Sequence, residues 1–305
     1  MRKVEKPIVS DLKLKDFKDF DKFLVGADAH KTHIQHNPTD RKIDDQTYSF
    51  AKAALSHLYH NKCAFCEQFL TDNKNRPNSF TIEHYRPKNK MLYFWLGAEW
   101  TNLFPTCADC QKRAGKSDWF EILNEKCKKP FDTANNFDAM LFDAVRLNML
   151  ENPLLLHPEI DDPKLFFECD KNGAIQAKDK TNQRANETIR ILGLNNDFDK
   201  IEKTSFQRKK IIDGIKPDLL TQYQIVVKNY KYDEIDDRIL SVAFDAIFRK
   251  VINQADTKAE FSFLGCCLVL NFDALIAKPL AEENRSDLMF NYLNQSFLKF
   301  CATLA

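Results

Sequence analysis

Lys62-Cys63-Ala64-Phe65-Cys66-Glu67, Thr81-Ile82-Glu83-His84-Tyr85-Arg86-Pro87-Lys88 and Asn102-Leu103-Phe104-Pro105-Thr106-Cys107-Ala108-Asp109-Cys110-Gln111 are three phrases of one stretch, residues 63–116, around which the chain is organised. Two Cys-x-x-Cys pairs stand forty residues apart and enclose a Glu-His dipeptide and an Asn. Each pair turns tightly enough to put two sulfurs on one cation, and two pairs make a closed four-thiolate tetrahedron that suits Zn2+. Cys63, Cys66, Cys107 and Cys110 are therefore the expected ligands of a structural zinc. The gap exceeds the roughly 15–20 residues of a simple zinc ribbon, so something folded must be inserted between the pairs.

The insert has two parts. Phe80 to Tyr85 is rich in β-branched and aromatic residues and is stopped by Pro87, as a short strand would be. Neighbours on a strand face opposite ways, so Glu83 and His84 can serve different roles. After Pro105, residues 106–115 read as a turn entering a short helix that carries Gln111 and Arg113. A strand, a second strand or loop and a helix clasping one cation make a ββα-metal plan. Tyr93, Phe94, Trp95 and Trp100 are expected in the core beneath it. Arg86, Lys88, Lys90, Lys112, Arg113, Lys116, Lys126, Lys128 and Lys129 flank it as candidate phosphate contacts.

Outward from this centre, the chain is ordinary. Its 305 residues, 44% apolar and 29% charged with only 7 Gly, describe a globular protein that leans towards helix. A formal net charge of +1 gives no global nucleic-acid footprint, so any such contact must be local. No apolar run approaches the ~20 residues of a membrane span. The start is charged and lacks the apolar core of a secretory signal. An odd count of 9 Cys fits no secreted disulfide framework. A cytoplasmic protein is expected, with Cys127, Cys169, Cys266, Cys267 and Cys301 reduced.

Residues 11–24 carry an amphipathic helix pattern, and His30, His33 and His36 lie three apart without a Cys or carboxylate at ligand spacing. A turn is expected at Pro38-Thr39-Asp40, then a helix over 48–60 that delivers the chain to Cys63. Residues 137–150 read as a helix or connector, and 165–176 as a β-hairpin with an Asn172-Gly173 turn. Helices follow over 181–192, 221–232, 237–254, 261–276 and 288–304. The expected fold is mainly α (α+β), with a zinc-stapled ββα module embedded between helical segments. Three regions follow: 1–60, helical; 61–130, the zinc-bound module; 131–305, a helical, partner-binding region.

Glu83-His84, Asn102 and Cys107-x-x-Cys110-Gln111, with Cys63-x-x-Cys66 and Glu-His-Tyr-Arg-Pro-Lys, resemble the HNH endonucleases, and among them the PtuB-type branch of Septu and retron antiphage systems. Asn152-Pro153, Asp161-Asp162-Pro163 and residues 186–195 extend the resemblance over roughly 48–215. It implies His84 as the general base, Glu83 and Gln111 as ligands of a catalytic Mg2+ or similar divalent cation, and Asn102 as the residue that orients loop and base. Arg86, Lys88, Lys112, Arg113 and Lys116 would bind nucleic acid. Two positions depart from the family pattern: Gln111 replaces an Asn or His, and Ala114 a Lys. The resemblance also implies a PtuA-like SMC/ABC-type ATPase as partner, and, in a retron, a reverse transcriptase with its msDNA. The alternatives are a zinc-bearing docking subunit with impaired catalysis and an RNA (tRNA)-cleaving toxin.

Overall fold

A computed structural model of the chain describes residues 1–8, 14, 16–37, 46–88, 93–114, 120–124, 143–196 and 204–304. The expected turn at Pro38-Thr39-Asp40 lies outside them, as do Lys90, Lys116, Lys126, Cys127, Lys128 and Lys129 and the side chains of Arg113 and Ala114. The chain is mainly helical with small sheets, and it divides into two compact units. One comprises 1–166 with 177–193, the other 167–176 with 194–305. Residues 1–130 thus fall wholly within the first unit.

In the first unit, β1 (Phe80–His84) pairs antiparallel with β2 (Leu103–Cys107), and α3 (Ala108–Ala114) follows without a break. The pairing runs from Phe80 opposite Cys107 to His84 opposite Leu103. Pro105 sits opposite Ile82, a position a strand proline rarely holds. Its carbonyl accepts from Ala64 N at 2.9 Å. In a strand a residue's nitrogen and carbonyl point to the same side, so the Pro105 nitrogen faces away from β1 and no ladder bond is lost. That same hydrogen bond ties the first Cys pair to β2. At the other end, Ala108 N and Asp109 N donate to Ser79 O and Pro77 O, fixing the entry of α3.

Helices pack around this ribbon. α1 (Phe20–His36) begins after Asp19, and its inner face buries Phe20, Phe23, His30 and Ile34. Of the helix expected over 11–24, residues 11–13 and 15 lie outside the described residues; residues 20–24 form the start of α1, whose buried stripe continues through His30 to Ile34. Phe20 and Phe23 meet the Trp100 ring at 5.2 and 5.7 Å. A 3-10 helix (Thr47–Ala51) leads into α2 (Lys52–Leu58). Tyr93, Phe94, Trp95 and Leu96 form a core with Ile34 and Leu147, as the aromatic run implied. α4 (Ala144–Glu151) starts where the Asp143 side chain accepts from Val145 N and Arg146 N, satisfying two of the orphan amides of a helix start. α5 (Pro163–Phe166) is a single turn, and α6 (Gln183–Leu192) is capped by Asn182 and closed by a left-handed Gly193.

The second unit carries the expected hairpin, β3 (Phe167–Cys169) with β4 (Ile175–Ala177), turned through Gly173 at φ 76°. Five helices follow: α7 (Thr204–Asn229), α8 (Asp237–Gln254), α9 (Ser262–Leu270), α10 (Lys278–Glu283) and α11 (Asp287–Ala302). The bounds of α8 are those expected. α7 is longer than the 221–232 segment expected, because it runs through Pro217. An internal proline costs a helix about 3 kcal/mol. Here Ile212, Ile215, Leu219, Tyr223 and Val226 bury a continuous stripe across it, and at ~1.5–3 kcal/mol per buried large side chain that stripe outweighs the loss. The apolar run 261–276 is not one helix: α9 stops at Asn271 and a π-helical turn, Asp273–Ala277, precedes α10. Phe272 stacks on Phe297 at 4.0 Å, and Phe248 packs edge-on to both. Among the described residues no single helix is long and apolar enough to cross a membrane.

Candidate metal centre and hydrolytic site

The four cysteines of the two pairs meet. Their sulfurs all lie within 4.8 Å of one another, every one of the residues is buried, and Cys66 Sγ stands 3.7 Å from Cys107 Sγ. A tetrahedron with Zn–S of ~2.3 Å has edges of about 3.8 Å, close to the Cys66–Cys107 separation, so the cluster could hold zinc. Local backbone explains it. After Cys66 the chain reverses through Glu67 at φ 63°, with Glu67 N on Cys63 O and Cys63 N on Gln68 O, which turns both sulfurs inwards. Glu67 is itself buried, and Lys62 Nζ stands 3.8 Å from its carboxylate. In the second pair, Cys110 N donates to Cys107 Sγ at 3.4 Å. Burial alone would raise the Cys63 thiol, yet hydrogen bonds from Cys107, Cys110 and Cys66 hold it well below the ordinary thiol range. Cys66 and Cys110 go the other way, driven well up, first by the Cys107 sulfur. Such a set releases protons when a cation replaces them.

Glu83 and His84 end β1, and their side chains meet different elements. Glu83, 7% exposed, hydrogen-bonds with the Gln111 side chain of α3. Burial pushes its carboxyl up to about 8, against a smaller downward pull from Gln111. His84, 8% exposed, places Nε2 2.8 Å from the carbonyl oxygen of Gly97. A carbonyl only accepts, so Nε2 carries the proton, and the lone pair of the neutral ring belongs to Nδ1.

Asn102 is the knot behind His84. Its Oδ1 accepts from Arg86 N at 2.8 Å, and its Nδ2 donates to Arg86 O at 3.1 Å and Leu96 O at 3.2 Å. The side chain therefore joins the exit of β1 to the loop that presents Gly97. Lys6 braces the same region, its buried ammonium donating to Trp100 O and Leu103 O at 2.7 Å and pairing with Glu159 at 3.0 Å.

The cationic residues separate into two groups. Arg86, expected to bind nucleic acid, does not face solvent: it is 1% exposed, with Nε 2.9 Å from Glu151 Oε2 and Nη2 2.8 Å from Asn148 Oδ1. Tyr93 donates to the other Glu151 oxygen. A guanidinium so enclosed has no path to a phosphate, and its role is to bind α4 to the end of β1. Lys88 is half-buried and Lys112 exposed. Tyr48, Gly97 and Glu151 were not legible as site residues. Of the three, only the last had a nearby signal, in the phrase Glu151-Asn152-Pro153.

Among the described residues the four cysteines are the only grouping of three or more His, Cys, Asp or Glu ligands. Part of the chain is similar in sequence to curated proteins. The Septu protein PtuB of Bacillus mycoides (strain KBAB4) is 26% identical over 207 residues, 61% of this chain and 63% of that protein. The chain is similar in sequence to this Septu protein over that span. A second relative, the Septu protein PtuB of Bacillus thuringiensis, is 28% identical over 123 residues, 36% of this chain and 45% of its own. The chain spans less than two thirds of the length of the curated relatives it matches. No family model matches it.

Proposed function

We propose that the chain is a metal-dependent HNH endonuclease that hydrolyses nucleic-acid phosphodiester bonds, the effector of an antiphage defence system that works beside a PtuA-like ATPase. The observation that carries this reading is the hydrogen bond from His84 Nε2 to Gly97 O, which leaves Nδ1 as the basic nitrogen at the end of a strand. The residue before it is a buried carboxyl joined to a helix amide.

Glu83 and Gln111 suit a hard cation. A carboxyl buried and held near 8 has no full positive charge among its named partners, and a cation would return it to the carboxylate form. A divalent cation bound there supplies charge neutralisation at the phosphate and the leaving oxygen. The chain's own residues do the rest. His84 Nδ1 takes the proton of the attacking water, Gly97 O fixes the tautomer, and Asn102 holds the loop that presents Gly97. Lys88 and Lys112 contact the substrate backbone, with Arg113 and Lys116 as further contacts from the sequence. The zinc cluster holds the ribbon and helix together. Of the partners, the ATPase and, in a retron, the reverse transcriptase with msDNA rest on the family resemblance.

The test is cleavage of supercoiled plasmid, single-stranded DNA and tRNA by the purified zinc-loaded chain with Mg2+, alone and with the ATPase. His84→Ala abolishes the cleavage while zinc content stays at wild type. Equal cleavage, or equal protection of cells, by wild type and His84→Ala would refute the reading and leave a docking subunit. Which substrate is cut decides DNA against RNA.

A further inference from the structure

Tyr48 belongs to neither motif, yet it touches the proposed base. The contact begins at Gly26 of α1. A Cβ there would stand 2.4 Å from Thr47 Oγ1 and 2.6 Å from Thr47 Cγ2, so only glycine lets α1 come this close to the 3-10 helix 47–51. Thr47 is buried at that crossing, and the next residue, Tyr48, is carried onto the His84 ring. The two rings lie 4.9 Å apart at 76°, edge to face. The ammonium of Lys88 stands 3.9 Å from the centre of the same Tyr48 ring, well within cation–π range. The Lys88 stem runs past Gly97, where an added Cβ would meet Lys88 Cδ at 3.7 Å. One phenol ring thus adjoins the imidazole and a cation that the sequence had marked for phosphate.

We propose that Tyr48 is a positioning residue for hydrolysis: its ring holds the His84 imidazole on Gly97 O, with Nδ1 directed at the water, and seats the Lys88 ammonium beside the base as the cation that receives the substrate's phosphate. The inference rests on the reading of His84 as the base. Imidazole orientation then has two supports, a hydrogen bond at Nε2 and an aromatic contact on the ring. The contacts of Tyr48 with His84 and Lys88 both use the aromatic ring, so phenylalanine retains them and leucine does not. A base misplaced by about 1 Å can cost on the order of 100-fold in rate, and a phosphate-binding cation without its seat weakens substrate binding.

The experiment compares wild type, Tyr48→Phe, Tyr48→Leu, Gly26→Ala and His84→Ala as full-length zinc-loaded chains. Tyr48→Leu lowers kcat at least tenfold and raises KM several-fold; Tyr48→Phe rescues both to within about threefold of wild type. Gly26→Ala, which pushes the 3-10 helix away, follows Tyr48→Leu. A readout independent of cleavage is the 15N shift pair of the His84 ring at fixed pH. It reports one Nε2–H tautomer in wild type and Tyr48→Phe, and a mixture in Tyr48→Leu. Thermal midpoints close to wild type separate positioning from unfolding. Wild-type kcat and ring shifts in Tyr48→Leu would overturn the proposal. So would equal damage from phenylalanine, which would assign the role to the hydroxyl. If wild type and His84→Ala both fail to cleave, the nuclease reading fails, while the ring shifts still decide whether Tyr48 positions His84.

Discussion

Asn102 binds Arg86 twice, accepting from its backbone amide at 2.8 Å and donating to its carbonyl at 3.1 Å, and so closes a ring of hydrogen bonds directly behind His84. Removing that amide leaves buried donors and acceptors unmatched, at about 1–3 kcal/mol for each group. Asn102→Ala is expected to lower stability by several kcal/mol in urea unfolding, and to reduce kcat more than it raises KM. A stable variant with unchanged kcat would detach Asn102 from the base.

His84→Ala is expected to lose on the order of 10²–10⁴ in rate, the usual worth of a general base. Circular dichroism and zinc content should match wild type, because the ring contributes to neither the cysteine cluster nor the β1–β2 pairing. Single-turnover cleavage is the deciding measurement.

Glu83 gives stability a pH dependence whose sign is fixed. Its folded pKa, about 8, lies above the ordinary carboxyl value of 4.5, so its contribution is complete below 4.5 and is lost as pH rises towards 8. Zinc-loaded, Mg2+-free protein is therefore expected to weaken between pH 5 and pH 7.5, by less than about 5 kcal/mol. Glu83→Gln flattens this slope, and Mg2+ offsets it while releasing a proton. Urea midpoints at the two pH values, with and without Mg2+, check all three.

Arg86 and Glu151 are both within 1% of full burial, so breaking the pair on one side is expected to cost about 3–5 kcal/mol. Arg86→Met with Glu151→Leu should recover part of that loss. Nucleic-acid affinity of any folded variant, and its dependence on salt, should stay at wild type, since the guanidinium faces no solvent. A reduced salt slope in Arg86→Met would return Arg86 to the substrate surface.

Zinc is expected at one ion per chain, measured by atomic emission. Cys63→Ser or strong chelation should unfold the first unit's ribbon, because structural zinc contributes up to ~10–16 kcal/mol of apparent binding energy in small peptides. Folded wild type without zinc would sink the four-cysteine assignment.

The sequence was most legible where local rules dominate. Cys-x-x-Cys spacing predicted the cluster, Asn172-Gly173 the hairpin, and apolar periodicity the bounds of α8. It was least legible where tertiary packing decides. The helix expected over 221–232 begins much earlier, because the buried stripe from Ile212 to Val226 carries α7 through Pro217. Arg86 read as a surface cation because its partners, Asn148 and Glu151, arrive from a helix sixty residues away. Tyr48 was invisible because its contact with His84 depends on a missing Cβ at Gly26, a fact of two helices meeting.

Cys107 is at once the last residue of β2 and a member of the cysteine cluster, and it lies opposite Phe80 in the ribbon. A slip of β1 by one residue against β2 would exchange the faces of Glu83 and His84. A cation held by the four thiolates would anchor Cys107, and with it the strand against which Glu83 and His84 are aligned.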